Sequence, residues 1–208
     1  DSLALVRQAI GLYDPEVHRD LRFRFGHDPR VAAGAYRAWN LWHLGYADQA
    51  QEAVADNRRW VREVGHANTT GLGLCYGVAI PNLWMRRVEE VVTVAREVIA
   101  LADQMSMSLW HAWGSIYLGW AMSQESAVAG LEQMEAGLEE ARKVGAGRYE
   151  PLHLSLAAEA YARAGRPLEA EARIAAAFAS FGRGDDAALE PELHRTRAAV
   201  LAQAGRRH

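Results

Sequence analysis

The chain has a single cysteine, Cys75, which rules out an internal disulfide framework and suits a reducing compartment. Lysine is nearly missing too: of 23 basic residues only Lys143 is a lysine, a habit of composition more than a device. Charge of one sign never accumulates, and the formal net charge is −3. Neither nucleic acid nor an anionic membrane surface is therefore an expected partner. No apolar run approaches the roughly 20 residues that span a bilayer, and no signal-peptide pattern opens the chain. Strand signals are nearly absent as well. The first residues, "DSLALVRQAIGLY", carry no initiating Met and enter a helical pattern at once, so the expectation is a cytoplasmic segment of a longer protein.

What is present is helix. Half of the 208 residues are hydrophobic and 24% are charged, the balance of a globular protein with one sizeable core or one extended array. Apolar residues recur at helical spacing between Gly, Pro and Asp punctuation. In "GHDPRVAAGAYRAWNLWHLG", Asp28 is the expected N-cap, Pro29 the first helical residue and Gly45 the stop. Helix pairs are expected over 28–65, 68–105, 108–145 and 149–182, with Asn68 capping the second and a final helix over 190–205. Residues 1–25 read as the end of a preceding repeat and a linker. Pro81 predicts a kink or an early end to the helix that contains it.

The pairs superimpose. The small or apolar residue early in each second helix falls at Ala50, Val91, Gly130 and Ala170, giving spacings of 41, 39 and 40 residues. A near-constant period of helix pairs marks a solenoid whose units bury their apolar faces against neighbours. The expected fold is all-α, a right-handed α-α superhelix in a single domain over 1–208, with a helical bundle of coincidental spacing as the rival.

The fourth pair, "LSLAAEAYARAGRPLEAEARIAAAF", resembles a tetratricopeptide repeat, with Ala158, Tyr161, Gly165, Ala170 and Ala177 at its packing positions. The first pair follows the same scheme with Ala38, Leu41, Gly45 and Ala50, although the period exceeds the common one of about 34 residues. A longer resemblance runs through "YDPEVHRDLRFRFGHDPRVAAGAYRAWNLWHLGYADQA", "LWHAWGSIYLGWAM", "LAAEAYARAG" and "PELHRTRA". These stretches resemble the C-terminal tetratricopeptide region of bacterial signalling ATPases linked to class III nucleotide cyclases. The resemblance implies a non-catalytic regulatory or scaffolding module. The cyclase and phosphate-binding motifs of such proteins have no counterpart here, so no catalytic residue carries over.

Other candidate sites are weak. Gly71, Gly73 and Gly77 in "TGLGLCYG" miss the dinucleotide spacing by one, with no strand before them and no lysine after; glycines that let helices approach explain them. His18, His27, His43, His66, His111, His153, His194 and His208 never fall three or four apart, so no helical metal pair is expected. His27 and His66 follow glycines just before helices, where capping is the expected role. Cys75 reads as an inert packing residue. Glu89, Glu90, Glu139 and Glu140 read as solvated helix faces, as in the pair Glu139 to Lys143. No Ser-His-Asp or Cys-His arrangement has local support, and no cofactor or metal is expected.

The aromatic residues give the one functional lead. Trp39 and Trp120 each follow a small packing residue, Ala38 or Gly119. In tetratricopeptide arrays that place usually faces the concave groove. Trp42, His43, Tyr76, Ile80, Trp84 and Trp113 fall on or near the same face in this register, and Glu159, Arg163 and Arg195 continue it with polar groups. Such a groove would take a protein or peptide with apolar anchors and a few charges, or a neighbouring domain of the same chain. Two alternatives stand beside it. A closed pocket around Trp39, Trp84 and Trp120 would suit a small-molecule sensor, and an apolar outer patch at Val91, Val94 and Val98 would suit a dimerisation module, hence a homodimer.

Overall fold

The structure is a computed structural model that describes residues 2–181 and 187–205. Every regular element among the described residues is helical. The chain's contacts divide it into two compact units, 1–110 and 111–208.

In the first unit a short N-terminal group comprises α1 (Ser2–Leu12), α2 (Pro15–His18) and α3 (Leu21–Phe25). Then come α4 (Pro29–His43), α5 (Ala47–Val64), α6 (Ala67–Leu74), a π-turn (Cys75–Ala79), α7 (Ile80–Trp84) and α8 (Val88–Met105). Helix α4 starts where Asp28 and Pro29 place it: the Asp28 carboxylate accepts from the N–H of Arg30 at 2.9 Å and of Val31 at 3.1 Å. That carboxylate is buried and also receives the Tyr13 hydroxyl at 2.5 Å and the Trp60 indole at 3.3 Å. One cap thus ties the N-terminal segment and α5 to α4. Burial and the Asp28 contact together push the Tyr13 phenol up.

Helix α6 corrects an expectation. Its cap is His66, which accepts from the Thr69 N–H and meets the Thr69 hydroxyl at 2.8 Å. Asn68 lies two residues past the cap, already inside the helix; its amide donates to the Gly26 carbonyl at 2.7 Å and accepts from the Trp110 indole at 2.8 Å. Pro81 does not end the helix either, and the chain stays helical from 67 to 84. The π-turn widens the backbone ahead of the proline, so that the Ile80 N–H bonds the Cys75 carbonyl five residues back. Gly71, Gly73 and Gly77 serve close packing as expected: a Cβ on Gly77 would fall 1.9 Å from the Asn57 amide, and one on Gly71 would fall 2.6 Å from Trp110. Cys75 is fully buried, and that burial pushes its thiol up and away from reactivity.

The boundary between the units falls within α9 (Ser108–Met122). The second unit continues with α10 (Ala127–Lys143), α11 (Glu150–Arg163), α12 (Pro167–Ser180), a 3₁₀ turn (Ala187–Leu189) and α13 (Glu190–Gly205). Gly182, at the end of the fourth expected pair, and His208 lie outside the described residues. Helices α9 and α10 approach until a Cβ on Gly119 would lie 2.6 Å from the Met134 nitrogen and one on Gly130 2.4 Å from the Ser123 nitrogen. Larger side chains there would push the helices apart. Helix α11 is buried on every face from Pro151 to Ala162, with α10, α12 and α13 packed against it. Val91, Val94 and Val98 of α8 are each fully buried as well. They fill the core of the first unit, so they form no outer patch for a dimer.

Candidate functional site

In the first unit the expected groove residues form a packed aromatic cluster. Trp39 is 4% exposed. Its ring stacks on Tyr76 with centroids 6.1 Å apart and an interplanar angle of 8°, and meets Trp84 edge-on at 5.1 Å. The cause of this inward placement lies in the π-turn. In that register the Tyr76 carbonyl would take its intrahelical bond from residue 81, which is a proline and has no N–H. The Trp39 indole donates to that oxygen at 2.7 Å instead. A buried carbonyl left without a donor costs about 1–3 kcal/mol, so the indole N–H is held by what Pro81 lacks.

Ile80 and Trp84 are buried with Trp39, whereas Tyr76 and Trp42 are half-buried. His43 is exposed as a residue, but its ring lies 4.8 Å from that of Trp84, and this partial burial lowers its pKa from the ordinary value.

In the second unit Trp120 is 1% exposed. Its indole donates at 2.9 Å to the carboxylate of Glu159, a buried side chain on α11. The other carboxylate oxygen takes the Arg195 guanidinium and, at 3.4 Å, the Thr196 hydroxyl, both from α13. Arg195 is half-exposed and also grips Glu192 at 2.8 Å. The node therefore ties α9, α11 and α13 together. Arg163 does not join it; it is exposed and lines a shallow cleft of about 460 Å³ with Ser123, Gln124 and Glu125.

Burial corrects the groove expectation for Glu159 and for five apolar residues. Trp39, Ile80, Trp84, Trp113 and Trp120 lie within the packing, none more than 4% exposed. The indole N–H groups of Trp39 and Trp120 turn inward because each meets an acceptor there.

Two features lay outside those expectations. His153, on α11, is buried among aromatic rings: Trp113 lies at 5.0 Å and Tyr117 at 5.7 Å, and the Tyr117 hydroxyl meets Nε2 at 3.3 Å. Desolvation pushes its pKa down to about 3, so the imidazole is neutral near pH 7. Its sequence surroundings, "PLHLSL", gave only an isolated histidine in an apolar run.

The second feature is the N-terminal group. Of thirteen large apolar side chains exposed among the described residues, five fall here: Leu5, Leu12, Val17, Phe23 and Phe25. Helix α1 is apolar, yet only its Leu3 is buried. Arg22 lies over the Phe23 ring at 4.8 Å and Arg24 over Phe25 at 5.6 Å. The sequence signal was "LRFRF", in which arginine and phenylalanine alternate.

Among the described residues no cluster of three or more His, Cys, Asp or Glu side chains is placed to hold a metal ion. None of the described helices is long and apolar enough to cross a membrane.

No family model matches the chain, and no solved structure matches it. It is similar to an uncharacterized protein of Rhizobium meliloti (strain 1021), at 26% identity over 207 residues. That alignment covers 97% of this chain but only 20% of the relative. The chain therefore spans about a fifth of the length of the curated relative it matches.

Proposed function

We propose that this chain is a non-catalytic, tetratricopeptide-like protein-binding module: helix pairs with a period near forty residues wound as a right-handed superhelix. In this reading it is the cytoplasmic regulatory or scaffolding part of a larger protein of the cyclase-linked signalling ATPase type. One observation carries the binding role: Leu5, Leu12, Val17, Phe23 and Phe25 are each exposed within the N-terminal helices α1–α3. Exposed apolar side chains at this density are characteristic of interaction surfaces. The arginines over Phe23 and Phe25 suit a partner whose apolar anchors are flanked by acids. The much greater length of the relative agrees with a module joined to other domains.

The test compares the wild-type chain with the double variant Phe23→Ser, Phe25→Ser, which leaves the buried core untouched. Proteins captured by each from cells of the source are identified by mass spectrometry, and binding is then rebuilt from purified components. A partner that binds the wild type and loses at least tenfold in affinity with the variant supports the reading. Equal binding by both removes this surface from it, and turnover of ATP or GTP by the purified chain overturns the non-catalytic assignment.

A further inference from the structure

We infer that the second unit holds a binding site for a small zwitterion, an amino acid or a close analogue, in the cavity between the end of α10 and the start of α11. The cavity measures about 230 Å³ and is bordered by Arg142, Glu150, His153, Arg173 and the Gly145–Gly147 turn, with Leu138 and Leu154 supplying apolar wall. Drug-sized ligands occupy pockets of about 300–1,000 Å³. This volume suits a molecule of a few heavy atoms.

The donors and acceptors left over define the ligand. His153 is 2% exposed and lines the cavity. Its Nε2 meets Tyr117, so Nδ1 is the ring nitrogen left for a ligand. In the tautomer that carries the proton on Nδ1, Nε2 accepts from the Tyr117 hydroxyl and Nδ1–H is a donor on a side chain that lines the cavity. Arg173 binds both oxygens of Glu135 through Nη2 alone, at 2.8 and 2.9 Å. Arg142 pairs with Glu139 through Nη1. A guanidinium has five N–H donors, so each arginine keeps donors for a third group.

These three side chains suit a carboxylate, and the first turn of α11 beside them favours negative charge. Glu150, at the start of that helix, is exposed and supplies the one acid of the lining. Glu135 pairs with Arg173 and Glu139 is shared by Arg142 and Lys143, so the three cations are balanced once Glu150 is counted. A simple anion would gain little there. A ligand that brings an ammonium to Glu150 and a carboxylate to His153 and the arginines matches both signs.

The experiment is an NMR titration of the whole chain with L-alanine, reading the His153 ring resonances, with propionate and ethylamine as single-charge controls at equal ionic strength. Alanine is expected to shift His153 saturably, at least tenfold more tightly than either control. Glu150→Gln, at an exposed position, is expected to weaken alanine at least tenfold while propionate, freed of a like charge, binds no more weakly than to the wild type. Arg142→Gln, also exposed, is expected to weaken alanine and propionate alike. Three results would overturn the site: no saturable shift with alanine, equal binding of alanine and propionate, or alanine binding indifferent to Glu150→Gln. None of these outcomes depends on whether α1–α3 binds a protein.

Discussion

Trp39 in the first unit and Trp120 in the second each follow a small residue and bury an indole N–H, but the acceptors differ. Trp39 meets a backbone carbonyl made available by Pro81 and the π-turn. Trp120 meets a carboxylate that is itself buried and is held by Arg195 and Thr196. The first solution brings no charge into the interior. The second brings one, which also meets the half-exposed Arg195 guanidinium from α13. A tryptophan after a small residue is thus held by backbone geometry in the first unit and by a buried carboxylate in the second.

The sharpest way to break this comparison is Glu159→Ala. It strands the Trp120 indole N–H in the interior and removes the acceptor of Thr196, for an expected loss of about 3 kcal/mol. Hydrogen exchange measured by mass spectrometry is expected to rise in α9, α11 and α13 and to stay unchanged in α4 and α5. Trp39→Phe is the counterpart, with an expected cost of about 2 kcal/mol for the carbonyl it leaves without this donor and faster exchange around α4 and the π-turn. Adding Pro81→Ala returns an N–H to that backbone. Trp39→Phe is then expected to cost less in the Pro81→Ala background than alone, by about 1 kcal/mol in a double-mutant cycle. Additive losses would show that the missing proline N–H does not govern the Trp39 bond.

Much of the helical architecture was legible because its signals are local. Asp28 caps through its own side chain, and Gly45 and Gly65 take left-handed backbone at φ 85° and 60°, which glycine adopts without strain. What the sequence concealed was direction. Helical register placed Trp39 and Trp120 on a face, but whether an indole faces solvent depends on an acceptor 37 or 39 residues away. Pro81 predicts a kink or an early end, and the structure shows a π-turn just before it with the helix continuing to Trp84; periodicity does not reveal that a π-turn can absorb a proline. His153 stayed hidden because its meaning comes from Trp113 and Tyr117 on another helix and from a cavity, none of which is adjacent in sequence.

A smaller effect separates the units by pH. His153 has an ordinary unfolded pKa near 6.5 and a folded value pushed down to about 3 by burial. Between those values the unfolded chain binds a proton that the folded chain refuses. The stability from the neutral imidazole is thus full above about pH 6.5 and is lost as pH falls toward 3, by up to about 1.4 kcal/mol per pH unit. His153→Gln is expected to flatten this limb relative to the wild type in denaturant titrations at pH 7, 6 and 5. Taking the difference cancels the carboxylates that both proteins share. A parallel decline in the two proteins would mean that His153 gains a proton while folded.

The smallest expected effect bears on the charge itself. Arg195 pairs with Glu159, yet its side chain is 43% exposed while that of Glu159 is 10% exposed. Water already screens the cation, so the pair's electrostatic worth is close to that of a surface bridge. After Arg195→Ala, Trp120 and Thr196 still donate to the Glu159 carboxylate. The expected loss is below about 1 kcal/mol and shrinks further in 0.5 M salt, where the Debye length falls to roughly 4 Å. A loss of about 3 kcal/mol or more, unaffected by salt, would instead mark a desolvated ion pair. In that case Arg195, rather than the Trp120 indole, would be the group that makes the buried carboxylate tolerable.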